Sequence, residues 1–93
     1  MRHSFRNLCV KIQTSLDWQE VGGELTRQLN KLPYNRDLRT VINNIDHMIV
    51  DLSKAEVEAR RTRKTVYLET KILQINEAID RLEKLILVAT LMS

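Results

Sequence analysis

Four cations, Arg60, Arg61, Arg63 and Lys64, fall within five positions of this sequence. Guanidinium groups pair bidentately with phosphate oxygens, and an ammonium adds a point charge. The chemistry such a cluster suits is therefore capture of a polyanion. The competing reading is a solvated turn whose charges contact Glu56 and Glu58. No aromatic residue alternates with the cations, so the spacing predicts phosphate contacts and gives little support to base stacking. Binding of that kind is electrostatic, weakly sequence-specific and strongly salt-dependent.

The other reactive residues do not assemble into a site. Catalysis needs polar groups that converge in a concave region. His3 and His47 have no partners at metal-ligand spacing, and the adjacent Asp46 and His47 would point apart on a helix. Cys9 is the only cysteine, which leaves neither a disulfide framework nor a redox pair; it reads as a small buried apolar residue. Gly22-Gly23 lacks the Lys-Ser/Thr and the preceding strand of a phosphate loop, and no HExxH, CxxC or GxGxxG occurs. The expectation is a non-enzymatic chain with no catalytic residue, cofactor or metal.

Ninety-three residues make one domain, 1–93, near the small end of what folds alone, where self-association is a common source of added stability. No apolar run approaches the eighteen or so residues of a membrane span. The basic start, Met1 to Arg6, is not followed by a signal-peptide core. With a lone cysteine, the expected location is the cytoplasm. Charge is uneven. Residues 1–40 hold seven Lys/Arg against four Asp/Glu, and residues 41–93 hold eight of each, with half of those eight cations in the cluster.

Helices must position that cluster. Phe5, Leu8, Cys9, Ile12 and Leu16 recur at three- and four-residue spacing, as do Leu25, Leu29 and Leu32. The spacing predicts a first helical region over about 3–32, bent or broken between 17 and 24, where Gly22-Gly23 falls, into helices of about 3–16 and 18–32, with a stop at Pro33. A third helix, about 36–58, carries Leu38, Val41, Ile42, Ile45, Met48, Ile49, Leu52, Ala55 and Ala59, with Asn35 or Asp37 as its cap. The fourth, about 64–92, has the seam Leu68, Ile72, Ile75, Ile79, Leu82, Ile86 and Ala89, flanked by Ala78 and Leu85. Glu77–Arg81 and Asp80–Lys84 are acid-first i,i+4 pairs.

Between the last two stripes the phase changes, which predicts a tight reversal near 58–64. A capping box at Ser53…Glu56 and one continuous rod are the alternatives. Trp18 and Tyr67 lie beside apolar stripes and read as core or interface aromatics. The last turns are apolar on several faces, so Leu82, Leu85, Ile86, Leu91 and Met92 are expected at an oligomer or partner interface. The fold class is all-α, an up-and-down antiparallel bundle of three to four helices, oligomeric. An adaptor or inhibitor docking a partner through this last helix is the competing functional reading.

Lys31-Leu32-Pro33, the following Ile42, Ile45 and Ile49, Ala55-Glu56 running into Arg60-Arg61, and Tyr67-Leu68, Ile75, Leu82-Glu83 and Leu91…Ser93 occur in a familiar order. Over about residues 18–93 the chain resembles the bacterial four-helix-bundle family that includes ribosomal-RNA intervening-sequence proteins and the accessory variability determinant of diversity-generating retroelements. The glycines that usually follow Ala-Glu are missing, as in the retroelement branch, and the chain ends where a fourth helix would begin. The resemblance implies a homo-oligomer, for the accessory proteins a five-fold barrel. It also implies a basic surface that binds RNA or DNA, and partnership with a reverse transcriptase. Mapped onto this chain, that surface would draw on Arg60, Arg61, Arg63, Lys64 and Lys71.

Overall fold

The computed structural model describes residues 11–92, so Phe5, Leu8, Cys9 and His3, and most of the helix expected over 3–16, lie outside the described residues. Among the described residues the chain is all-helical, with α1 (Asp17–Asn30), α2 (Arg36–Thr62) and α3 (Val66–Met92). The 27 residues of α2 and of α3 make two rods of about 40 Å each, paired as an antiparallel hairpin.

The hairpin forms because each rod has an apolar face and little else to cover it. Leu38, Ile42, Ile45, Leu52, Ala55 and Ala59 of α2 meet Ile75, Ile79, Leu82 and Ile86 of α3, all buried. The predicted stripes thus make the core. Asn35 caps α2, its side chain accepting from the Leu38 amide at 3.1 Å. Neither a rod nor a new helix at residue 54 occurs: α2 runs through Ser53 and Glu56 to Thr62.

α1 covers the half of the hairpin remote from the α2–α3 turn. Leu25 and Leu29 enter the core, and Leu32 shares an apolar hollow with Leu38, Ala89 and Met92. Within the span 17–24, where the spacing predicts a bend or break, the helix starts at Asp17 and runs through both glycines, and Gly22 is a seat for Trp18. A Cβ at Gly22 would lie 2.6 Å from Trp18 Cε2, so the helix continues only with glycine beneath the indole. The indole packs on the core as expected, and its Nε1 donates to Asp46 Oδ1 at 2.6 Å.

Residues 11–16 correct the helical expectation. They form bends and a turn before α1, an unwound strap along the hairpin groove. Ile12 is buried as its apolar character requires, but Leu16, expected on the same stripe, is exposed. Main-chain groups that lack helical partners must find others, and here they do. Ser15 donates from its amide and hydroxyl to Glu56 at 2.8 and 2.7 Å. Gln13 and Thr14 amides donate to Asp17, and Lys11 pairs with Glu83 at 3.4 Å. Asn76 anchors the strap's first residues. No helix among the described residues is long and apolar enough to cross a membrane.

Candidate nucleic-acid interface

The cationic cluster sits where α2 turns into α3. Arg60 and Arg61 end α2, Arg63 closes it, and Lys64 and Thr65 lead into α3. Arg63 has φ 63°, the left-handed conformation, and its amide donates to Ala59 O at 2.7 Å. This is the helix-ending geometry that glycine usually supplies, and a side chain there costs about 1–2 kcal/mol. The reversal at 63–65 presents all four cations beyond the end of the packed core, each exposed.

The electrostatics are one-sided. Residues 58–71 contain Arg60, Arg61, Arg63, Lys64 and Lys71 against Glu58 and Glu69, which equals the chain's whole formal charge of +3. Arg61 pairs with Glu58 at 2.5 Å. Among the described residues Arg60, Arg63 and Lys64 form no ion pair. Glu56, the other carboxylate weighed as a partner for the cluster, is taken by Ser15. The negative end of the α2 dipole and the positive end of the α3 dipole meet at this corner and offset one another, so its charge is that of the side chains. Arg36 and Arg39 lie at the opposite end, where Arg39 donates to Asn30 Oδ1 at 2.9 Å.

Of the two places expected for Tyr67, core or interface, the core is excluded. It is not a core aromatic: its side chain is 63% exposed because α1 covers only the other half of the hairpin. Lys71 Nζ stands 5.4 Å from the ring centroid, within cation–π range. Arg63, Lys64, Thr65, Val66, Tyr67 and Thr70 line one open hollow. Sequence reading singled out Tyr67 but not its place among the cations, because it is one residue from the seam position Leu68, and only tertiary cover decides which way such a flanking residue faces.

The residues expected at a partner face divide. Leu82 and Ile86 are 0% and 4% exposed; α2 has already buried them, so they have no surface to offer a partner, and this corrects their assignment. Leu85, Leu91 and Met92 are exposed, as are Leu87 and Val88. The last two turns of α3 therefore form an apolar end opposite the cationic tip. His47 is exposed, its Nδ1 2.9 Å from Asn43 O. Among the described residues no three His, Cys, Asp or Glu side chains gather as a metal-ligand set.

Comparison with protein-family models, with curated proteins and with solved structures returns no match.

Proposed function

We propose that this chain is a non-enzymatic nucleic-acid-binding protein that grips phosphate backbone with the tip of its α2–α3 hairpin and self-associates through its other end. The observation that carries the reading is the left-handed Arg63. A cation occupies a position where glycine is conformationally favoured, in a corner that holds the chain's net charge. Phosphate contacts suit a flexible, exposed cation cluster of this kind.

The test is anisotropy titration of labelled RNA and DNA at several salt concentrations. Each phosphate neutralised adds about 0.7–0.9 to the slope of log K against log salt. Arg60/Arg61/Arg63→Ala is expected to lower that slope by about 2 and to weaken binding at low salt. No binding at low salt, or an unchanged slope in the triple variant, refutes the reading.

Exposure of Leu85, Leu87, Val88, Leu91 and Met92 supports the self-association half of the proposal and also favours a second reading, an adaptor that docks a partner protein on this apolar end. The two differ in outcome. For the adaptor, Leu91→Lys abolishes function and the arginine substitutions do little. The family resemblance makes a reverse transcriptase the partner to try first, by co-purification with the full chain.

A further inference from the structure

We infer that the tip is built for a single strand, with Tyr67 as a stacking platform for an unpaired base. This inference rests on the phosphate-binding reading and narrows it.

Three observations converge. Tyr67 is one of the chain's four aromatic residues, yet it stands 63% exposed in the first turn of α3 and contributes to no core. It shares one hollow with Arg63 and Lys64, the two cations of the turn itself. Lys71, one turn further on, holds its ammonium over the ring, 5.4 Å from the centroid, so a fifth cation sits on one face of the ring and the opposite face is the one a base would take.

An aromatic ring held among cations discriminates between forms of nucleic acid. Every base has a π-face, and aromatic platforms among backbone-tracking cations hold single strands with little regard to sequence. In a duplex those faces are stacked on neighbouring pairs, leaving phosphates as the accessible groups. The cations alone treat the two forms alike, apart from charge density. The ring adds a contact that only an unpaired base completes. Its position in the first turn of a helix fixes the backbone beneath it, so little order is lost when a base arrives.

The experiment uses the full chain and five ligands: labelled 12-nucleotide oligothymidylate and oligouridylate, a 12-base-pair DNA duplex, a 12-base-pair RNA duplex, and inorganic polyphosphate as a base-free competitor. The expected result is single-strand affinity about tenfold above that of the matching duplex at equal salt. Tyr67→Ala is expected to remove about tenfold of single-strand affinity with the salt slope unchanged, to leave duplex and polyphosphate binding alone, and to be rescued by Tyr67→Phe. The tighter of the two oligonucleotides identifies DNA or RNA as the ligand. Equal binding of strand, duplex and polyphosphate, or a Tyr67→Ala variant that binds strands normally, overturns the platform and leaves backbone capture standing. Failure of every ligand to bind at low salt overturns both.

Discussion

The side chain of Asn76 is paired edge to edge with the main chain of Ile12. Oδ1 accepts the Ile12 amide at 2.9 Å and Nδ2 donates to the Ile12 carbonyl at 2.9 Å. The same Oδ1 takes the Lys11 amide at 2.5 Å, and Nδ2 also reaches Ile72 O at 2.9 Å. Asn76 is 2% exposed, and a primary amide is the one side-chain group that presents a donor and an acceptor in the manner of a peptide. It pins the register of the strap against α3 while Ile12 fills the core.

Asn76→Leu is therefore expected to destabilise the fold by about 3 kcal/mol, since the paired groups of Lys11 and Ile12 lose their partners and each orphaned group costs about 1–3 kcal/mol. Asn76→Asp keeps the acceptor and loses both donors. Urea unfolding measures the loss, and amide exchange at Ile12 is expected to accelerate in Asn76→Leu, which removes the acceptor of that amide, and less in Asn76→Asp, which keeps it. Unchanged exchange in Asn76→Leu would show that the strap is held by the Ile12 side chain and not by Asn76.

The two glycines of α1 are expected to answer alanine with opposite signs. Nothing lies within 4 Å of a Cβ built on Gly23, so Gly23→Ala gains about 1 kcal/mol of helix propensity. At Gly22 the new methyl meets Trp18 at 2.6 Å, and forcing the indole aside costs about 1–3 kcal/mol. Thermal unfolding followed by far-ultraviolet circular dichroism separates the two.

Arg63→Gly is expected to raise stability by about 1 kcal/mol, because glycine adopts the left-handed conformation without strain. It should also weaken nucleic-acid binding at low salt. Stability and binding moving in opposite directions would mark Arg63 as retained for its charge; a loss of both would point to a packing role instead.

Core and end residues of α3 are expected to behave differently. Leu82→Ala opens a cavity in the hairpin and costs about 3 kcal/mol. Leu91, 76% exposed, tolerates lysine within about 0.5 kcal/mol, and light scattering of Leu91→Lys should show a smaller assembly than the parent chain. Unchanged assembly would remove the apolar end from the self-association proposal.

Acid is expected to loosen the strap. Amides of Gln13 and Thr14 donate to Asp17 Oδ2 at 2.8 and 3.1 Å, and these bonds hold the Asp17 carboxyl below its ordinary value of 3.8. A group depressed in the folded state contributes stability above its unfolded value and loses it as pH falls through the folded one. Protection of the Gln13 and Thr14 amides should decline from about pH 5 downward. Asp17→Asn should flatten that dependence, distinguishing it from Glu24, which Arg27 and Gln28 hold low by side-chain hydrogen bonds.

Sequence periodicity was sufficient for α2, α3 and the reversal between them, since stripes such as Ile75, Ile79, Leu82 and Ile86 encode burial locally and a phase change marks the turn. The strap was not legible. Phe5 to Leu16 has helical spacing, but Ile12 and Ser15 take their hydrogen bonds from Asn76 and Glu56, 64 and 41 positions away, and no local pattern carries such pairings. Gly22-Gly23 misled for a related reason: a pair of helix breakers is tolerated where an indole needs the room. The cations were evident from their spacing along the chain, whereas Tyr67 among them depended on how far α1 reaches.

The seat of Trp18 over Gly22 gives the molecule a built-in optical gauge. This tryptophan is the only one in the chain and the tyrosines are only two, and each of the three marks a different region. Tyr67 stands at the cationic tip, Trp18 where α1 docks on α2, and Tyr34 beside Met92 at the apolar end. Indole emission therefore follows the docking of α1, while tyrosine signals separated by Tyr67→Phe and Tyr34→Phe follow the two ends. Unlabelled protein can thus report which part of itself a ligand or a second copy has touched.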